Sequence, residues 1–202
     1  MKFEEKTMMV TQSFYNTISK LVAFEETDWQ ILANESETIK TWAPDLVSVF
    51  YDTLYSIEET TAVFHDGERP KLEATLKNWI GEILGGDQGE KFWNHQRYIA
   101  LLHIKRGTKN LYMLGMMNRL QQVFLIKSLE SFDQDKAVQV YTAFLRLSGM
   151  VAGLIAQCYD EVTETSTQAG LSRVGLNEAL ISRIKAMQID KMLSEAQEAY
   201  KS

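Results

Sequence analysis

The chain is poor in residues that interrupt or cross-link a fold. Its 202 residues include only two prolines, Pro44 and Pro70, and one cysteine, Cys158. Scarce proline leaves long stretches free of helix breakers. A lone cysteine excludes an internal disulfide and suits a reducing, cytoplasmic setting; within its apolar helical pattern Cys158 reads as a small buried hydrophobe. Positive charge is not in excess either. The formal net charge is −6 and the pI near 5.2, so neither nucleic acid nor an anionic membrane is an expected partner. No stretch approaches the roughly 18 uninterrupted apolar residues of a membrane span, and the opening MKFEEKTMMV lacks the apolar run of a signal peptide.

The strongest chemical motifs are missing as well. CxxCH, HExxH, paired ExxH, CxxC and a glycine-rich phosphate loop do not occur, which removes several metal, redox and nucleotide chemistries by those routes. Only three histidines are present: His65, His95 and His103. His95 and His103 are eight residues apart, about 80° from sharing a helical face. One helix therefore offers a poor two-histidine metal site.

What is present is helical period. Apolar residues make up 45% and charged residues 24% of the chain, an ordinary globular balance. Met9, Phe14, Ile18 and Leu21 predict a helix over 6–24. Thr27 or Asp28 is placed to cap the next one, whose pattern runs from Trp29 to about Ile57, with a kink or a helix start near Trp42–Pro44. His65–Pro70 reads as a turn, and Pro70 suits a first helical turn. The following helix carries Leu72, Thr75, Leu76, Trp79, Ile80 and Ile83 and stops at Gly85-Gly86. Another spans about 89–106 and closes at Gly107, with Thr108 as a cap for a helix through Ser128. Asp133 is placed to cap a long helix through Cys158. Beyond Thr163, the spacing of Leu171, Val174, Ile181, Ile184 and Met187 predicts a further helix suited to pairing with a copy of itself. No strand-like alternation competes. The expectation is an all-α fold with roughly 60–70% helix.

RYIALLHIKRG, residues 97–107, poses the functional question. His103 stands in an apolar helical stretch, with Ile99, Ala100 and Gly107 within one turn on its side. A core histidine bonded to a carbonyl or water is one reading. The other is a ligand: an imidazole flanked by small and aliphatic residues leaves room for a flat apolar ring such as haem.

A longer segment extends the pattern. His103-Ile-Lys-Arg-Gly107-Thr-Lys-Asn-Leu-Tyr112-Met-Leu-Gly115 resembles the proximal-histidine signature of the sensor globins, which comprise protoglobins and the globin domains of globin-coupled sensors of the aerotaxis-transducer type. Val47-Ser-Val-Phe50-Tyr51 resembles the family's second globin helix, and Lys71-Leu72-Glu-Ala-Thr75-Leu76-Lys77 its distal helix. The resemblance covers about residues 28–160, and residues 6–24 correspond to the extra N-terminal helix of this family. Arg106, Asn110 and Met113 depart from the usual pattern.

The resemblance implies a globin fold with an extra N-terminal helix in residues 1–163 and a helical extension or signalling linker in 164–202. It implies haem b with His103 as iron ligand and a distal hydrogen bond from Tyr51 to the bound gas, with Thr75 as a second polar group. Core packing of Tyr51 and back-bonding of Thr75 within its own helix are the alternatives. Phe50, Leu72, Leu76, Trp79 and Ile99 would wall the pocket, beside Ala100 and the aromatic Tyr112. Lys105 and Arg106 could pair with haem propionates or remain solvated. Gly149 and Gly153 would permit close helix approach, either in a homodimer's four-helix bundle or within one chain. The implied function is reversible binding of O2, with CO and NO as competitors, and signalling through dimer helices to an output domain or partner. It is not an enzyme by this reading, and the chain is either a free-standing sensor or a sensory module. The alternatives are a haem-free globin-fold stress regulator and a haem enzyme of the NO dioxygenase or peroxidase kind.

Overall fold

The computed structural model describes residues 13–85, 89–173 and 178–201. Met9, Gly86 and Val174 lie outside the described residues. Ten helices are described, covering 87% of those residues: α1 (13–21), α2 (Glu26–Asn34), α3 (Ser36–Thr41), α4 (Ala43–Tyr55), α5 (Glu58–Thr61), α6 (Arg69–Ile83), α7 (Glu90–Arg106), α8 (Asn110–Ser131), α9 (Gln134–Arg173) and α10 (Glu178–Lys201). No strand occurs among the described residues.

Local chemistry sets most boundaries. Pro44 and Pro70 each fall in a first turn, where the missing N–H costs nothing; Pro44 thus starts α4 and does not kink a longer helix. Gly107, at φ 83°, takes the left-handed position that ends α7. Its N–H and that of Thr108 return to the carbonyls of Ile104 and His103, both at 3.0 Å. Thr108 therefore closes α7, and Lys109 is the residue that precedes α8. Asp133 Oδ1 accepts the Lys136 N–H at 3.0 Å at the head of α9.

Three expectations are corrected. Glu25, not Thr27 or Asp28, precedes α2; Asp28 sits in the first turn and accepts the Glu25 N–H at 2.8 Å. The pattern from Trp29 to Ile57 divides into three helices: the helix start expected near Trp42–Pro44 is found at Ala43, and a further break, at Glu35, was not expected. No boundary falls at Thr163, because α9 runs on to Arg173; the helix content of the described residues exceeds the expectation.

The chain divides into two units, 1–159 and 160–202. In the first, α4 packs closely on α6 and α8. Phe124 of α8 and Phe144 of α9 stack at 3.9 Å with an 8° interplanar angle. Trp42 meets Phe124 edge-on at 5.1 Å and donates Nε1–H to Ser131 Oγ at 3.1 Å. Trp29, Leu32, Ile39, Leu147 and Met150 complete a buried core, and Cys158 is buried near Arg97 Nη1, 3.7 Å from its sulfur. Among the described residues one apolar segment of α9, Gln134–Leu171, is long and apolar enough to cross a membrane by length and composition, yet half of its apolar window is buried inside the fold. A core helix explains it.

The small residues of α9 have a partner within the chain. A Cβ on Gly153 would lie 2.9 Å from Ile18 Cδ1 of α1, and one on Gly149 would lie 3.5 Å from Val22 Cγ1. These glycines seat the N-terminal helix, the packing within one chain that the sequence left open beside contact between two chains. In the second unit, α10 exposes Leu180, Ile184 and Met187.

Candidate cofactor slot between two antiparallel helices

Two helices, α6 and α7, are joined at both ends by polar bridges. At one end Arg106 Nη1 and Nη2 donate to Glu68 Oε1 and Oε2, each at 2.8 Å. At the other, Trp79 Nε1 donates to Gln96 Oε1 at 2.7 Å, and Glu82 meets His95 Nδ1 at 2.8 Å. The start of α6 thus lies by the end of α7, so the helices run antiparallel. Between the bridges α6 carries Leu72, Thr75 and Leu76, and α7 carries Ile99, Ala100 and His103. Leu72, Leu76, Trp79 and Ile99 are only half-buried, and Leu102 is 44% exposed. Half-covered apolar side chains between polar ties make this stretch a candidate slot for a flat apolar group.

His103 is held in one tautomer. Its Nδ1 lies 2.8 Å from the Ile99 carbonyl. A carbonyl only accepts, so Nδ1 carries the proton and Nε2 keeps its lone pair. Burial lowers the pKa of His103, against the raising effect of the Ile99 bond, and the nearby charge of Arg106 lowers it further. The neutral form, which binds metals, is therefore favoured. Ala100 is fully buried one turn earlier, and a Cβ on Gly107 would meet nothing within 4 Å. Little bulk stands beside the ring.

Tyr51 of α4 is 7% exposed, with Phe50 edge-on at 5.1 Å and Phe64 at 6.5 Å. Burial pushes its phenol well above the ordinary tyrosine range, and the carboxylate of Glu73 adds to the shift, so the group stays a proton donor. The charge of Arg106 bears on both groups, lowering the pKa of Tyr51 slightly against its burial and adding to the lowering at His103. Thr75 does not join them: it is exposed and donates its hydroxyl to the Lys71 carbonyl at 2.9 Å. Arg106 is held by Glu68. Tyr112, with Lys109 Nζ 5.7 Å from its ring centre, lines a groove of about 320 Å³ with Leu54, Ile57, Gly115 and Met116, and none of the other residues expected at the site contributes to it.

Two residues of the slot, Glu68 and Gln96, escaped the sequence reading. Gln96 was detectable, because it stands seven residues before His103 on the same helical face. Glu68, in a turn, carries no such signal.

The all-helical fold, with His103 on α7 opposite α6, is of the globin kind. The protoglobin family model matches residues 13–165, and the chain belongs to the protoglobin family. Among solved structures it is similar to the globin domain of the Geobacter sulfurreducens globin-coupled sensor, at 22% identity over 71% of this chain and 96% of that one, with a TM-score of 0.66. That likeness is one of fold. No curated protein matches the sequence. The globin family implies haem, and the residues fit it. Among the described residues no group of three or more His, Cys, Asp or Glu could hold a bare metal ion. A macrocycle supplies its own nitrogen donors and asks the chain for one axial imidazole and apolar walls.

Proposed function

We propose that this protein is a cytoplasmic sensor globin that holds haem b through His103 Nε2 and reversibly binds O2, with CO and NO as competing ligands. The observation that carries the reading is the hydrogen bond from His103 Nδ1 to the Ile99 carbonyl, which leaves Nε2 free in the half-covered slot. Haem supplies the iron that takes up the gas. The chain supplies the rest. Leu72, Leu76, Trp79, Ile99 and Ala100 exclude water around the macrocycle, and Phe50 supports Tyr51. The Tyr51 hydroxyl, kept protonated by burial, donates to the bound gas and favours O2, which accumulates negative charge, over CO. Thr75 already spends its proton on Lys71, so it would need to rotate before adding a second bond. Arg106 would hold a haem carboxylate only by sharing or leaving Glu68. Tyr112 acts from the head of α8, outside this group.

The output is mechanical, not enzymatic. We assign residues 1–163 to sensing and 164–202 to a lever that carries the signal to an output domain or partner. A homodimer through α8 and α9 suits the exposed apolar residues Leu111, Leu114, Ile126, Leu129, Val138 and Leu145. A ligand-dependent change in the Tyr51 bond would bias the packing of these helices between two states. The test is gas binding. The reduced, reconstituted protein should change its visible spectrum with O2, reverse when O2 is removed, and change again with CO. A haem complex inert to both gases would contradict the sensor reading, and a protein that refuses haem would favour a haem-free regulator. Sedimentation as a monomer at micromolar concentration would remove the dimer route.

A further inference from the structure

The Gln96 carboxamide is buried, and its Nε2 has no hydrogen-bond partner. A misassigned amide does not account for this. The indole N–H of Trp79 can only donate, so the atom it meets at 2.7 Å must be the oxygen. The Trp79 bond therefore fixes the amide, with its NH2 turned away from α6's indole. Leaving two N–H bonds unpaired in a buried site is unfavourable, and native folds rarely tolerate it without a resident acceptor. The position of Gln96 indicates where that acceptor enters. Seven residues are about 20° short of two helical turns, so Gln96 and His103 share one face of α7, about 10 Å apart along its axis. Both belong to the slot, one at its middle and one at its Trp79 end.

We propose that Gln96 is a positioning residue of the slot: its NH2, locked by Trp79, binds an oxygen acceptor that arrives with the bound group and thereby sets how the group sits along α7. The inference rests on the haem reading above. The acceptor's shared chemistry is an oxygen lone pair, supplied either by a carboxylate of the macrocycle or by a water trapped beside it. Two substitutions separate the ends of the amide. Gln96→Glu keeps an acceptor for Trp79 and removes the donor. Gln96→Met preserves volume and removes both.

The experiment uses the full chain loaded with haem. Both variants should lose haem to an acceptor globin roughly ten- to a hundredfold faster than wild type. Proton NMR of the ferric cyanide form should also show a changed ratio of the two haem rotational orientations, which mere loosening of the fold would not produce. Loading wild type with an iron porphyrin whose carboxylate side chains are replaced by alkyl groups distinguishes the sources: a rise to the variants' rate identifies a carboxylate, an unchanged rate identifies water, and either supports the proposal. Should a variant fail to fold, wild type still decides. Its Gln96 side-chain N–H protons should become protected from exchange on loading, and unchanged exchange would overturn the proposal. Variants that fold, hold haem as wild type does and keep the same orientation ratio would overturn it too, while leaving the haem reading intact. A wild type that takes up no haem would overturn both.

Discussion

The α8–α9 contact and the α6–α7 contact are built from similar amphipathic helices and end differently. Between α8 and α9, Phe124 and Phe144 lie ring on ring at 3.9 Å, and their neighbours Leu120, Val140 and Leu147 are buried. Apolar surface there is fully consumed. Between α6 and α7 the ties are polar and sit at the ends: Arg106 to Glu68, Trp79 to Gln96, His95 to Glu82. The apolar side chains between them remain half-covered. A protein interior normally closes such gaps to crystal-like density. Apolar side chains left half-covered between polar bridges, on the helix that carries His103, are what the proposed haem site would use.

Removing that imidazole should break the contrast most severely. His103→Ala should weaken haem retention at least about a hundredfold, beyond the roughly 10–100-fold typical for loss of a partner behind a metal ligand. Free imidazole should restore much of it, read from the absorption of the purified protein. Full retention without imidazole would move the ligand elsewhere.

Tyr51 tests the distal side. A donor bond to a partly charged acceptor in a dry pocket is worth on the order of 1–3 kcal/mol, so Tyr51→Phe should raise the O2 off-rate roughly 5- to 150-fold. Stopped-flow measurements on O2 and CO side by side supply the check. Equal acceleration of both gases would point to pocket shape and not to the hydroxyl.

The closed side of the molecule should respond in stability and not in colour. Gly153→Leu drives a branched side chain into Ile18, which a Cβ alone would approach to 2.9 Å. Overpacking of this kind costs about 1–3 kcal/mol, so thermal unfolding should begin at a lower temperature while the haem spectrum holds. A changed spectrum with unchanged stability would contradict the seat of α1 on α9.

The smallest effect concerns pH. Burial holds the His103 pKa below its ordinary 6.5. The unfolded chain then binds the proton first as pH falls, so the stabilising contribution is present above about 6.5 and is lost progressively below it. Apoprotein stability should therefore decline below that pH, and His103→Ala should flatten part of the decline. Identical slopes would show that His103 is not held neutral by its site.

Much of the fold was legible because its signals act within one helical turn. Pro44, Pro70, Gly107 and Asp133 fix backbone geometry or satisfy a free N–H locally, and the boundaries beside them follow. Glu25 was missed because a glutamate is a poor cap, and the break at Glu35 because apolar spacing continues through it. Gly149 and Gly153 announced close approach but not the approaching partner, which lies more than a hundred residues earlier in the chain. The same limit governs the slot. Helical spacing put Ile99, Ala100 and His103 on one face, whereas the ties of Arg106 to Glu68 and of Gln96 to Trp79 depend on which helix lies opposite. For Thr75 the sequence allowed both a distal role and a bond within its own helix, and the bond to Lys71 is the one found.

Haem titration of the apoprotein tests the central claim most directly. The account predicts saturation at one haem per chain, with a sharp Soret band that shifts on reduction and again under CO, and loss of that saturation in His103→Ala. A wild-type chain that stays folded yet gives no saturable band, or a His103→Ala chain that titrates identically, would contradict it.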